Sequence, residues 1–379
     1  MKFIHLSDLH LGKRVNEFSM LDEQTAILQQ ILTIIDTESP DGVLIAGDIY
    51  DKSIPPAEAV QLFDRFLVEL VQRRLQVFVI SGNHDSPERI AFGGRIMDAS
   101  GIHLSPVYNG SVEPITMEDE HGKVNVYLLP FIKPAHVRRF YEEEDIVSYT
   151  DAVRVAVTAM DLNSEHRNVL VTHQFVTGAS TCDSEELSVG GSDNVDASVF
   201  ADFDYVALGH IHGAQNCGSE KIRYCGTPLK YSFSEVNHQK SVTVAELGAK
   251  GELSLRTIDL VPLHDMSEIK GSFAELTDPT YYVGNPVVEH YLRIILTDED
   301  SIPDAVSRLR IIYMNLMHLD YDNRRTRMSS EITTATDAER KTAYQLFAEF
   351  FEDRNKVPMS VEQSEYMKKL IEEIEEELG

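Results

Sequence analysis

Cysteine is scarce. The 379 residues include only Cys182, Cys217 and Cys225, and no two of them stand at zinc-finger or redox spacing. A disulfide framework and a thiolate metal site are both argued against on that count. Long apolar runs are missing as well: no stretch approaches the roughly 18 apolar residues of a membrane span. The apolar segment after Met1 meets Ser7 and Asp8 too early for a signal peptide. The expectation is a protein without membrane association, cytoplasmic by default. Positive charge is in short supply, with 34 Lys and Arg against 62 Asp and Glu and a formal charge of -28. Taken alone this argues against a broad basic surface for nucleic acid, although a site that gathers divalent cations can be locally positive inside an acidic chain. Internal repeats and low-complexity tracts are absent. What is present, 42% hydrophobic and 25% charged residues, is the composition of a globular protein whose length fits two or three domains.

Short runs rich in Val, Ile, Leu and Phe recur at 3–6, 43–46, 77–80, 126–129, 169–172 and 205–208, and each reads as a buried strand. Between the early ones, Leu21, Thr25, Leu28, Leu32 and Ile35 recur at helical spacing, as do Val60, Phe63, Leu67, Leu70 and Val71. The alternation predicts a layered α/β domain with its sheet covered by helices. Alternating segments at 241–244 and 253–256, separated by Gly248 and Gly251, end that domain in a hairpin, with a boundary near Pro262. Beyond it, a strand at 289–297, a short helix at 304–309 and a strand at 311–319 make a small separate α/β unit. In the tail, Thr336 with Glu339 and Ser360 with Gln363 have capping-box spacing, and Pro358 parts the two helices they start. The first carries Tyr344, Phe347, Phe350 and Phe351; the second carries Met367, Leu370, Ile371, Ile374 and Leu378 on one face. Such stripes either pack on the protein's own body or receive a partner's helices. The longest structureless stretch, 177–194, reads as a rim or a solvated insertion.

Metal-binding residue types stand at the ends of five of these runs: Asp8-Leu9-His10, Gly47-Asp48, Gly82-Asn83-His84-Asp85, His173, and Gly209-His210-Ile211-His212. In an open sheet with helical crossovers, the crevice at the carboxyl ends of the strands is where ligands collect, so these clusters are expected to converge. Asp8 with His10, and His210 with His212, are two residues apart, which in an extended segment points both side chains the same way. Gly47, Gly82 and Gly209 allow sharp turns and close backbone approach. A lone Asp after a strand is more often a turn former, a lone His more often a satisfied or solvated side chain, and Asn83 could cap the next segment. The coincidence of all five at equivalent strand ends overrides those readings, and Asp, Asn and His together suit divalent first-row metals.

These residues bring a family into view. Asp8-Leu9-His10, Gly47-Asp48-Ile49-Tyr50-Asp51, Gly82-Asn83-His84-Asp85, Val171-Thr172-His173 and Gly209-His210-Ile211-His212 resemble, in order, the five motifs of the calcineurin-like metallophosphoesterases. More narrowly, the chain resembles the nuclease-subunit family of the bacterial SbcC-SbcD complexes. That likeness rests on His10-Leu11-Gly12, on Gly226-Thr227-Pro228-Leu229-Lys230-Tyr231-Ser232-Phe233-Ser234-Glu235, and on the layout beyond Pro262. The resemblance implies an α/β (α+β) fold: a four-layer metallophosphoesterase β-sandwich flanked by helices over residues 1–260, a small α/β capping domain that positions nucleic acid over 264–330, and C-terminal helices over 336–379 that bind an ATPase.

It further implies two divalent metal ions, Mn²⁺ foremost, one held by Asp8, His10, Asp48 and His212 and the other by Asp48, Asn83, His173 and His210, with Asp48 bridging. His84 would be the catalyst that is not a ligand, its alternative being a structural supporting residue, and Asp85 could orient it. The expected activity is exonuclease and endonuclease cleavage of DNA, gated by ATP in an SbcC-like coiled-coil ATPase. A homodimer is expected through the amphipathic segments at 57–75 and 87–99. Lys13, Arg14 and Lys230 flank the metal loops and are candidate phosphate contacts, with ordinary surface charge the equal alternative. Asp51 either supports the site or caps the segment before Pro55-Pro56, and the cap is favoured. The rivals are a hydrolase of the same superfamily acting on a small phosphoester or phosphoprotein, and an inert scaffold that keeps the fold.

Overall fold

A computed structural model describes residues 1–185 and 193–324, with positions 344, 347–348, 351, 359–360, 363–364, 366–368 and 370–371 of the tail. It divides into two units, Met1–Glu185 with Asn194–Asn323, and Glu186–Asp193 with Arg324–Gly379.

The first unit is built on strands Lys2–Leu6 (β1), Gly42–Ala46 (β2), Gln76–Ile80 (β3), Ile102–Leu104 (β4), Ile115–Asp119 (β5), Gly122–Leu129 (β6), Arg167–His173 (β7), Tyr205–Gly209 (β8), Gln215–Cys217 (β9), Ser219–Tyr224 (β10), Ser241–Leu247 (β11) and Leu253–Asp259 (β12). They form two six-stranded sheets, in the orders β12-β11-β1-β2-β3-β4 and β9-β10-β8-β7-β6-β5. The run β1 to β4 is parallel, β11 joins β1 antiparallel, and β6, β7, β8 and β10 are parallel in the second sheet.

The central strands β1, β2, β3, β7 and β8 are buried on both faces, whereas edge strands such as β5 and β12 alternate with exposed residues, and the period of two sorts the side chains. Phe3, Leu44, Ala46, Phe78 and Ile80 of the first sheet meet Val124, Val126, Leu128, Val169, Val171, Tyr205 and Ala207 of the second. The alternate residues Ile4, Leu6, Val43, Ile45, Val77 and Val79 pack instead with helices Leu21–Glu38 (α1) and Ala57–Gln72 (α2), through Ile27, Leu28, Ile31, Phe63, Phe66 and Leu70. Each such large side chain removed from water contributes about 1.5–3 kcal/mol. Helix Tyr149–Thr158 (α3), started by a Ser148–Asp151 capping box, buries Ala152, Val153 and Ala156.

Strands Met266–Gly271 (β13), Tyr291–Leu296 (β14) and Leu316–Tyr321 (β15) form a parallel sheet in that order. Its own core includes Phe273, Leu276, Leu292, Ile294, Leu309 and Tyr313. Met266, Tyr291 and Met317 also join the helix-side core of the large sandwich. The strand expected at 311–319 begins only at Leu316. Residues 311–313 close the turn after the helix Ala305–Leu309, where Tyr313 N bonds back to Leu309 O at 2.8 Å; an apolar run spanning a helix end and a strand cannot be divided by composition alone.

In the tail the Ser360 capping box is formed, with Ser360 N on Gln363 Oε1 at 2.9 Å and Gln363 N on Ser360 Oγ at 3.2 Å. Tyr344 OH meets Ser364 Oγ, and Lys368 Nζ stands 5.0 Å above the Tyr344 ring. The Thr336–Glu339 pair, Phe350, Ile374 and Leu378 lie outside the described residues.

Candidate metal centre

The strands β1, β2, β3, β7 and β8 end at one edge of the sandwich, and the loops leaving them lock onto each other. Asp8 N bonds to Gly47 O at 3.0 Å, His10 N to Asp48 O at 2.9 Å and Leu11 N to Ile49 O at 2.9 Å, so the parallel pairing of β1 and β2 continues past both strands. These turns are not extended, contrary to the expectation from the two-residue spacing of their donors. Asp8, His10, Asp48 and His210 have φ of 51°, 45°, 47° and 104°. Such backbones cost on the order of 1–3 kcal/mol each and persist where surrounding bonds impose them, commonly at functional sites. Crowding explains the glycines: a Cβ at Gly82 would lie 2.1 Å from Asp48 Oδ1, and one at Gly47 2.5 Å from His173 Nδ1.

Asp8, His10, Asp48, His173, His210 and His212 are all buried. Asp48 Oδ2 lies 3.4 Å from His173 Nε2, 3.7 Å from His10 Nε2 and 3.9 Å from His84 Nε2. His10 Nε2 and His212 Nε2 are 3.3 Å apart. Asn83 Oδ1 is 3.0 Å from both His173 Nε2 and His210 Nδ1. Ligand atoms of Asp8, His10 and His212, and likewise of Asp8, Asp48 and His173, all fall within 4.8 Å of one another. The sequence-predicted donors therefore face one pocket, Asp48 between the two groups.

Charge is tightly confined among these groups. Burial pushes the Asp8 carboxyl up to about 6, against the pull of His173 and His212. At Asp48 burial acts the same way, but the imidazoles of His173, His10 and His84 outweigh it and hold the carboxyl well below the usual range. Burial opposes the imidazolium of His173, yet Asp48 and Asp8 raise it to about 9; burial and the neighbouring His173 lower His210 to about 3. Two imidazole nitrogens facing each other at 3.3 Å, beside an amide oxygen and two carboxylates, fit divalent first-row cations, which displace protons from such donors.

The supporting residues differ in part from expectation. The Asp85 carboxylate accepts from the amides of Gly82, Ile49 and Tyr50 at 2.9–3.0 Å, so it shapes the Asp48 turn. His84 Nδ1 donates to the carbonyl of Asp51 at 3.1 Å. Asp51 is not a helix cap: α2 starts after Pro56, and the Asp51 carboxylate pairs with Lys13 Nζ at 2.6 Å and lies 3.8 Å from His10 Nδ1. Arg14 is exposed and bonds to Glu17 O; Lys230 bonds to Asp265 at 2.9 Å and to Val236 O at 2.8 Å. The described part of the 177–194 stretch is anchored: Phe175–Val176 pairs with Asn194–Val195, and Ser184 and Glu185 reach His212.

Sequence reasoning missed Gln24 and Tyr231. Gln24 Nε2 donates to His10 O at 2.7 Å, and Tyr231 OH donates to Leu9 O at 2.6 Å. The only available signal was the placement of Tyr231 inside the Gly226-to-Glu235 stretch.

The calcineurin-like phosphoesterase model matches residues 1–214, and that of the Type 5 capsule protein repressor C-terminal domain matches residues 262–355. The SbcD chain of the SbcCD nuclease from Staphylococcus epidermidis is 32% identical over 323 residues, covering 84% of this chain and 85% of that protein. Among solved structures, a dimetal phosphatase from Danio rerio is 12% identical with a TM-score of 0.40, covering 68% of this chain and 95% of its own. The phosphoesterase Yfce of E. coli is 11% identical with a TM-score of 0.26, covering 69% of this chain and 100% of its own. With the family model matching more than half of the residues and a relative this similar along most of the length, the chain belongs to the calcineurin-like phosphoesterases and, among them, to the SbcD nuclease subunits.

Proposed function

We propose that this chain is a metal-dependent DNA nuclease, hydrolysing phosphodiester bonds as the SbcD-type subunit of a complex with an SbcC-like ATPase. The reading is carried by donors from five separate loops facing one buried pocket, in a chain similar to an SbcD nuclease subunit through both of its matched regions. Asp8, His10, Asp48 and His212 would hold one cation, and Asp48, Asn83, His173 and His210 the second, with Mn²⁺ the first candidate. Such ions supply Lewis-acid charge, neutralising phosphoryl oxygens and lowering the pKa of water. Two carboxylates against two dications leave a positive surplus, which draws an anionic backbone to an otherwise acidic chain. His84 delivers a proton to the leaving oxygen from Nε2, with its other ring nitrogen fixed on the Asp51 carbonyl. Lys13, Arg14 and Lys230 flank the candidate metal loops and would contact phosphate, each exchanging a present partner for it: Asp51 for Lys13, the Glu17 carbonyl for Arg14 and Asp265 for Lys230. Residues 264–330 would position the nucleic acid, and residues 336–379 would bind the ATPase. A second copy would pair through 57–75 and 87–99, where Phe92 and Ile96 are exposed.

Digestion of a linear duplex, blocked-end or free, tests the reading. Wild type with Mn²⁺ cuts; Asp48→Ala does not; His84→Ala keeps its Mn²⁺ and cuts about 10²–10⁴-fold more slowly. Undiminished cleavage by both variants would end the assignment. Removal of residues 336–379 is expected to abolish co-purification with the ATPase while leaving Mn²⁺-dependent cleavage of simple substrates, and retained binding would refute the role of the tail.

A further inference from the structure

Next to the metal pocket lies a second polar cluster that the reaction does not use. Glu235 and Lys240 form an ion pair of 2.5 Å with side chains 0% and 6% exposed. Burying such a pair is unfavourable unless its remaining hydrogen-bonding positions are filled, and here most of them are filled by or around one residue, His212. Lys240 Nζ donates to the His212 carbonyl at 2.9 Å and to Thr227 Oγ1 at 2.6 Å. The Glu235 carboxylate accepts from Ser184 Oγ at 2.6 Å and from the amide of Tyr231 at 3.2 Å. Ser184 Oγ in turn lies 2.8 Å from His212 Nδ1, and Glu185 Oε1 accepts the His212 amide at 2.7 Å.

The amide, the carbonyl and Nδ1 of His212 are thus each held, and Nε2 faces His10 across 3.3 Å. Because the Ser184 hydroxyl spends its one proton on the carboxylate, its lone pair accepts from Nδ1–H, which leaves the lone pair of the imidazole on Nε2. We propose that Glu235, acting through Ser184, is a positioning residue of the metal site: it fixes the tautomer and orientation of His212 so that Nε2 is presented to the cation, while Lys240 neutralises Glu235 and holds the backbone of His212. Partners of this kind behind a ligating histidine set its affinity for metal. The inference rests on the metal-dependent reading above.

Calorimetric titration of the full chain with Mn²⁺ alone tests it, without reference to cleavage. Wild type is expected to bind two ions. Ser184→Ala should weaken one of the two binding events by about 10- to 100-fold and leave the other near wild type; Ser184→Thr, which keeps the hydroxyl, should restore it. Glu235→Gln should weaken the same event. Circular dichroism checks that each variant is folded, and should Glu235→Gln fail to fold, the Ser184 pair decides. Wild-type affinity for both ions in Ser184→Ala overturns the proposal, and so does a loss in Ser184→Ala that Ser184→Thr does not restore. If wild type itself binds no Mn²⁺, the metal-dependent reading fails and takes this inference with it.

Discussion

At Gly209 a Cβ would stand 1.9 Å from the carbonyl oxygen of Ala46 and 2.7 Å from Nδ1 of His173. That carbonyl already accepts from His173 Nδ1 at 2.8 Å, which turns Nε2 of the same ring into the pocket. The glycine thus allows the two sheets to approach closely where their metal loops meet, and a methyl group there must push β8 away from β2. Gly209→Ala is expected to cost about 1–3 kcal/mol from overpacking and to lower Mn²⁺ affinity by shifting His173 and His210. Urea unfolding and a Mn²⁺ titration check this; an unchanged affinity would show that the close approach is not needed by the site. Asp48 makes the same point from its carboxylate: its Oδ1 accepts the amide of His84 at 3.0 Å, so the candidate bridging ligand and the candidate catalyst are set by one bond.

The first turn of α1 joins two regions through consecutive residues. Gln24 holds the first metal loop: Nε2 donates to His10 O at 2.7 Å and to Tyr231 OH at 3.0 Å, and Oε1 accepts from the amide of Gly12 at 3.0 Å. Glu23, buried at 1% exposure, accepts from the amides of Leu263 and His264 at 2.9 and 3.1 Å and from His264 Nδ1 at 2.6 Å. One helix end therefore carries both the strained loop of Asp8 and His10 and the segment that leads into the small sheet. Gln24→Ala leaves the His10 carbonyl with the Lys13 amide at 3.0 Å and takes from the Gly12 amide its acceptor, at a cost of about 1–3 kcal/mol. The expected outcome is a lower urea midpoint with an unchanged slope, together with weaker binding of one Mn²⁺ ion. Full retention of both quantities would assign the left-handed conformation of the loop to the β1–β2 pairing alone.

At the scale of the molecule, the two sheets are also tied at the end away from the metal loops. Arg167, 2% exposed, reaches the carboxylate of Asp119 and the carbonyls of Leu247, Gly248 and Gly122, so β5 and β7 of one sheet are joined to the end of β11 in the other. The Arg167 guanidinium holds the Asp119 carboxyl well below its ordinary value, and the neighbouring chain-terminal ammonium adds to the effect. A carboxyl whose folded-state pKa is depressed contributes stability above its unfolded value of about 3.9, and that contribution is lost as pH falls through the lower folded value. Asp119→Asn should therefore be less stable than wild type at pH 7, and its stability should fall less steeply below about pH 4. Acid titrations followed by circular dichroism check this, and identical acid limbs would exclude the ion pair as a source of the pH dependence. No helix among the described residues is long and apolar enough to cross a membrane.

The buried strands, α1 and α2, and the convergence of the five loops that carry the candidate metal donors were legible in the sequence because each is a local signal: an apolar run of four or five residues, a helical period, a glycine beside an Asp, Asn or His. The left-handed backbones of Asp8, His10, Asp48 and His210 were not, since a two-residue spacing is compatible with more than one backbone conformation. Nor were the tasks of Asp85, which holds amides, and of Asp51, which offers its carbonyl to His84. Those roles, and those of Gln24, Ser184, Tyr231 and Glu235, come from hydrogen bonds between residues far apart along the chain, 222 positions in the case of Tyr231 and Leu9. Such a bond exists only once the sheets have packed. Local residue types therefore determined which donors were available, and tertiary packing alone decided which atoms they turn toward the pocket.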